Sequence, residues 1–246
     1  RKGIESPMSA PNLNESGVIL VDKPTEWTSH DVVNCIRRRF RIKKVGHCGT
    51  LDPNATGLLV IVFGYATKLS GKFSPQDKVY HGTMRLGKAT DSQDAEGQVI
   101  EECEFAGITL ENIQEQAAAF VGDIEQVPPM VSAVKKDGKP LYKLARKGEE
   151  VEREPRNIRI DRLDFQAYEP PDATFEVACS KGTYVRTLCH DLGHNLGSAA
   201  YLLDLRRLQS GRFSVDNAYT MDTIKTWEKD DLMAHKISLD QLLDYA

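Results

Sequence analysis

Apolar positions in this chain fall into short blocks with distinct periods. Gly17 to Val21 and Leu58 to Phe63 are continuous apolar runs and predict buried strands. Val32, Val33, Ile36 and Phe40 recur at helical spacing, which predicts a helix over Asp31 to Phe40 with its arginines facing out. Thr28-Ser29-His30-Asp31 precedes it and resembles a capping box, a hydroxyl followed three positions later by a carboxylate. Ala66 to Lys72 predicts a short helix, and Lys78 to Leu86 alternates as a strand does.

Further along, Leu110, Ile113, Ala117 and Phe120 mark a helix capped by Thr109 and ended near Gly122. Val131 to Val134 predicts a strand, and Pro140 to Lys147 a short basic helix stopped by Gly148. Asn157 to Tyr168 and Thr174 to Ser180 predict two strands joined across Pro170-Pro171. Tyr184 to Asn195 predicts a helix ending at Gly197, and Ala199 to Leu208 fits strand or helix. The elements mix without a clean βαβ rhythm. That favours an α+β fold with a mixed, largely antiparallel central sheet flanked by helices.

Two stretches invite readings that fail. Gly82 to Ala89 falls one residue short of a phosphate-binding P-loop: Ala89 lacks the hydroxyl, and strand character runs through it. Thr90 to Gly97 is a polar turn with two Asp residues that reads as a hairpin connection; it lacks the spacing and final Glu of a calcium loop.

The 246 residues suffice for one large domain or two small ones. No apolar run approaches the roughly 20 residues of a membrane span. Residues 1–16 are polar, carry two prolines and read as a flexible tail. Five cysteines without a Cys-x-x-Cys pair point to reduced thiols in a cytoplasmic protein. The net charge of −4 does not advertise a nucleic-acid binder. Its distribution says more. Of 36 acids and 32 bases, seven and three lie in 213–246, which leaves 29 of each in the other 212 residues. There the bases cluster, in Arg37, Arg38, Arg39, Arg41, Lys43 and Lys44 and again in Lys135, Lys136, Lys139, Lys143, Arg146 and Lys147. Such runs are solvated faces or phosphate contacts.

Candidate chemistry centres on Gly46-His47-Cys48-Gly49-Thr50-Leu51-Asp52-Pro53-Asn54-Ala55-Thr56-Gly57. Three glycines and a proline shape a loop, and the strand behind it would hold the single carboxylate of Asp52 still. Composition alone reads this loop as a turn, since Asp bonds its own backbone and the residue before Pro stays extended. Cys48 reads as a space-filler.

The loop resembles the catalytic signature of the TruB family of pseudouridine synthases. Other stretches resemble that family's motifs in its own order. These are Val18-Ile19-Leu20-Val21-Asp22-Lys23-Pro24, Asp77-Lys78-Val79-Tyr80, Ser180-Lys181-Gly182-Thr183-Tyr184-Val185-Arg186-Thr187 and Leu205-Arg206-Arg207-Leu208. They span roughly residues 17 to 212. The resemblance implies the pseudouridine synthase fold and an enzyme that isomerises a uridine in the T-loop of tRNA.

By resemblance Asp52 is the catalytic carboxylate and Arg186 its cationic partner, with Asp94 in the same electrostatic network. Tyr80 matches a tyrosine that stacks on the flipped uracil. Tyr184 and Leu205 match pocket-lining positions, and His47 a histidine that supports the flipped-out RNA. Lys23 and Pro24 match a motif that braces the catalytic loop. None of these roles requires a metal or cofactor. His190 and His194 have a zinc-clamp spacing but no third ligand, and read as surface or capping histidines.

The expected partner is the tRNA T-stem-loop, with no membrane and no metal, and the protein is expected to be a cytoplasmic monomer. One catalytic domain is expected over 17–246, with the family's small RNA-binding PUA domain absent. The rival reading is a non-catalytic RNA-binding or tRNA-folding protein on the same scaffold.

Overall fold

The computed structural model describes residues 13–130, 135–136, 139–140 and 153–242. The span expected to be one catalytic domain comprises two compact units, residues 1–75 with 211–246, and residues 76–210.

The first unit opens with strand β1 (Gly17–Lys23) and helix α1 (Ser29–Arg39). The capping box is formed: the Thr28 hydroxyl accepts from Asp31 N at 3.0 Å, and Asp31 Oδ2 accepts from Thr28 N at 2.8 Å. Those bonds from Thr28 hold the Asp31 carboxyl below the usual aspartate range. Val32, Val33, Ile36 and Phe40 are buried, while Arg38 and Arg39 face solvent. Strand β2 (Val45–His47) leads into the Asp52 loop, and β3 (Thr56–Phe63) follows. Strand β3 pairs antiparallel with β1, Gly17 opposite Phe63 and Lys23 opposite Gly57. It is buried from Gly57 to Phe63, so both faces are covered, as its unbroken apolar run requires. The short helix expected over 66–72 is a 3₁₀ turn, Gly64–Leu69, followed by α2 (Ser70–Phe73). Of the expected tail, residues 1–12 lie outside the described residues. Leu13–Glu15 form a 3₁₀ turn, and Ser16 is buried with its hydroxyl accepting from Tyr65 N at 2.8 Å.

The second unit is built on β4 (Lys78–Leu86). A short β5 (Lys88–Thr90) and β6 (Val99–Glu102) form a separate two-stranded sheet beside the polar turn. Helix α3 (Leu110–Ala118) carries the expected Thr109 cap, and β7 (Gly122–Gln126) follows. Two-residue strands β8 (Lys135–Lys136) and β9 (Lys139–Pro140) pair with each other. The strand expected over 131–134 and the basic helix expected beyond Pro140 lie outside the described residues. Strands β10 (Arg156–Glu169) and β11 (Asp172–Cys179), helix α4 (Val185–Asn195) and strand β12 (Ala200–Ser210) complete the unit.

Its strand order is β12-β4-β11-β10-β7, every neighbour antiparallel. The segment expected over 199–208, open between strand and helix in sequence, is strand from Ala200 onward because β12 pairs with β4 along almost its whole length. Helix α4 lies close on β12, and Gly193 permits it: a Cβ there would sit 2.6 Å from Ala200 N.

The chain then returns to the first unit with β13 (Phe213–Ser214), β14 (Tyr219–Thr220), α5 (Met221–Thr226) and α6 (Lys229–His235). Strand β14 runs parallel to β1, which makes the sheet mixed. The first unit's core gathers Val18, Leu20, Leu58, Val60, Val62 and Phe213, with Cys48 among them.

Candidate active site

In the first unit the Asp52 loop is held by its main chain. Gly49 and Gly57 adopt φ of 97° and 94°, angles that side-chain-bearing residues avoid. Cys48 N donates to Val60 O at 2.9 Å, tying the loop's start to β3. Ala55 N donates to Asp52 O at 3.1 Å and closes a turn around Pro53 and Asn54. Lys23 is fully buried, and its ammonium donates to the carbonyls of Pro24 (2.9 Å), Trp27 (2.5 Å) and Pro53 (3.0 Å). A buried ammonium is tolerated only with such partners. One of the three belongs to the residue after Asp52, so the bracing expected of Lys23 has a physical form. The Asp52 side chain stands exposed, while Cys48, Leu51 and Ala55 point into the unit. Cys48 thus fills core space. His47 ends β2, opposite Ile61, and is half-buried.

In the second unit Arg186 sits near the start of α4 and is 5 % exposed. A cation at a helix N-terminus opposes the helix dipole, and burial adds a desolvation cost. Both are met locally. Arg186 Nη1 lies 3.5 Å from Asp94 Oδ2 and donates to Ser92 O at 3.1 Å. Asp94 is built in tightly: its Oδ1 accepts from the Ser92 hydroxyl at 2.5 Å and Glu96 N at 3.0 Å, while its carbonyl accepts from the Thr90 hydroxyl at 2.6 Å. The loop's strained point is Gln93, with φ of 65°. Gln93 is held there by three contacts: its N donates to Thr90 O, its carbonyl accepts from Leu202 N, and its side-chain oxygen accepts from the Thr187 hydroxyl at 2.6 Å.

Tyr184 caps α4, with the Arg186 guanidinium 6.0 Å from its ring centroid. Gln126, at the end of β7, reads both main-chain groups of Tyr184. Its Oε1 accepts from Tyr184 N at 2.8 Å and its Nε2 donates to Tyr184 O at 3.0 Å. Tyr80 lies opposite Arg207, and Leu205 opposite Gly82. By the two-residue alternation Tyr80, Gly82, Leu205 and Arg207 share one face. Arg207 is 1 % exposed.

The fold therefore brings Asp94, Tyr184 and Arg186 into one cluster and sets Tyr80 and Leu205 on one sheet face. His47 and Asp52 belong to the other unit and are held there by its own contacts. Sequence reasoning does not single out Gln126, which acts through main-chain partners that no motif displays, and reaches the buried Arg207 only as part of a family motif. His194 Nδ1 lies 2.9 Å from His190 O and its Nε2 3.1 Å from Glu101, a helix-end role. Burial and the neighbouring His194 lower the His190 pKa. Burial pushes the Cys179 thiol up to about 12 and raises Cys189 as well, so both stay protonated. Among the described residues no three metal-ligating side chains converge.

The family model described as TruB family pseudouridylate synthase (N terminal domain) matches residues 37–185. The chain belongs to the TruB family. The model of the tRNA pseudouridylate synthase B C-terminal domain matches residues 186–244. A TruB relative from Syntrophotalea carbinolica, named tRNA pseudouridine synthase B, is 50% identical over 216 residues, 88% of this chain and 71% of that protein. The protein of the same name from Opitutus terrae is 50% identical over 218 residues, 89% of this chain and 90% of its own. Among solved structures, a chain from the crystal structure of a Cbf5-Nop10-Gar1 complex superposes with a TM-score of 0.70 at 29% identity. The match covers 90% of this chain and 58% of that one. The α+β architecture is thus that of TruB and its structural neighbours. The boundary between the two TruB models falls at Val185 and Arg186, inside the helix that presents the buried arginine.

Proposed function

We propose that this chain isomerises a uridine in the T-loop of tRNA to pseudouridine, with Asp52 as its catalytic carboxylate. The observation that carries this reading is the Asp52 loop. It exposes one carboxylate on a backbone held at the residues on either side, as a group acting on a bound nucleotide requires. Tertiary placement of this kind serves chemistry. An RNA-binding protein gains nothing from a fixed carboxylate facing a polyanion.

The reaction breaks the bond from uracil N1 to ribose C1′, turns the base and joins C5 to C1′. The C5 hydrogen leaves as a proton and N1 gains one, so the change is a net isomerisation. The base must leave its stack first. Asp52 adds to the ring or sugar, or removes a sugar proton, and departs again. Tyr80 stacks on the extruded uracil, His47 supports the flipped RNA, and Tyr184 and Leu205 line the pocket. Asp94 and Ser92 hold Arg186 in its place. The exposed bases Arg38, Arg41, Lys43 and Lys44 meet phosphate.

The test is tritium release from tRNA labelled at uracil C5, with wild type and Asp52→Asn side by side. Release by wild type alone is expected, with RNA affinity retained in the variant. Turnover by Asp52→Asn would remove the catalytic assignment. Binding without release by either protein would favour the RNA-binding reading.

A further inference from the structure

Asp52 is gripped from the residue before it as well as the one after. Ser29 opens helix α1 and is 3 % exposed. Its hydroxyl oxygen accepts from Leu51 N at 2.9 Å, and its O–H donates to Leu51 O at 3.2 Å. One side-chain oxygen thus serves both main-chain groups of Leu51, itself only 4 % exposed. Buried main-chain groups require partners, and here both the N–H and the C=O of Leu51 are met by a residue 22 positions away. Thr28 sets the helix start and Ser29 carries that fixed point to the loop.

We propose that Ser29 is a positioning residue for Asp52: by holding the N–H and C=O of Leu51 it sets the direction in which the carboxylate leaves the backbone. The proposal rests on the catalytic role of Asp52. The Leu51 carbonyl is half of the peptide that enters Asp52. If that peptide rotates, the Asp52 Cβ swings with it, and the turn from Asp52 O to Ala55 N loosens. Lys23 secures the far side, at Pro53. Hydroxyl chemistry suits the task, because Ser can accept and donate through one atom.

The experiment uses the full chain with three variants. Ser29→Ala removes both bonds. Ser29→Thr keeps the hydroxyl. Thr28→Ala weakens the same helix start without touching Leu51. Single-turnover rate at saturating enzyme, RNA affinity and melting temperature are measured for each. For Ser29→Ala the rate should fall about 10- to 100-fold, the scale of a reacting group displaced by an ångström, while affinity changes less than about threefold. Ser29→Thr should restore most of the rate, and Thr28→Ala should lower the melting temperature but keep the rate. If Ser29→Ala does not fold, Ser29→Cys, a weak donor and acceptor of similar size, is read in the same assay with the same expectation.

A Ser29→Ala rate within about twofold of wild type would overturn the proposal, since a displaced reacting group costs far more than that. So would rate losses in Thr28→Ala and Ser29→Ala that simply follow their melting temperatures. Failure of the Asp52 reading shows separately, as turnover by Asp52→Asn or none by wild type.

Discussion

At the scale of single residues, this protein places its most expensive groups where main chain must be held. Lys23 is the clearest case: a fully buried ammonium spent on three carbonyls. Lys23→Met keeps most of the stem's volume and removes the donors. Hydrogen bonds from charged groups contribute about 1.5–3 kcal/mol each, but the desolvation of the ammonium is relieved too, so a net loss of about 3 kcal/mol is expected. For a chain of this size that is about 6–12 °C of melting temperature, read by calorimetry, and a change under about 2 °C would contradict the account. Lys23 could be singled out from sequence because its motif resembled a family's. Ser29 and Gln126 could not. Ser29 sits in a Thr-Ser-His-Asp string already accounted for by the helix cap, and its partner is 22 residues away. The partner of Gln126 is 58 residues away. Main-chain groups are the same at every residue, so no pattern of side chains marks which of them will be gripped.

At the scale of elements, periodicity predicted most of the frame. Strands β1 and β3 were visible as unbroken apolar runs, β4 by its alternation, and helices α1, α3 and α4 by apolar spacing with a cap or a glycine stop. Strand β12 was ambiguous because Leu202, Leu203, Leu205 and Leu208 follow neither period cleanly; its pairing with β4 decides it. The turn between β5 and β6 was legible as a hairpin connection, but the strands themselves and the parallel strand β14 were missed, since two to four residues carry no period of their own. Contact between elements also reverses a simple propensity argument. Gly→Ala in a helix ordinarily stabilises by about 1 kcal/mol. In α4, Gly193→Ala would drive a methyl to 2.5 Å from the Ala200 Cβ and 2.6 Å from its backbone nitrogen. Overpacking against backbone should destabilise by about 1–3 kcal/mol. Gly71→Ala in α2, where nothing lies within 4 Å, should be neutral or stabilising. Urea unfolding of the two variants makes the comparison, and equal midpoints would show that α4 can shift.

At the scale of the whole molecule, net charge and RNA recognition part company. Under the proposed function, a chain of net charge −4 would meet a polyanion through a local run of bases. Lys43→Ala and Lys44→Ala should each weaken tRNA binding and reduce the slope of log affinity against log salt by about 1, read by titration at several salt concentrations. Unchanged slopes would remove this run from the RNA footprint. The grip on the Asp52 loop has a practical sequel. Ser29 holds an amide and a carbonyl that any residue but proline at 51 would offer, and Lys23 a carbonyl that any residue at 53 would offer. The side chain at 52 is exposed, and the bonds from Ser29 and Lys23 run to main-chain groups on either side of it. A photoreactive amino acid installed at 52 would keep those main-chain bonds. Irradiated with its RNA, such a protein would mark the nucleotides that come within reach of the loop, and so chart its targets without any need for turnover.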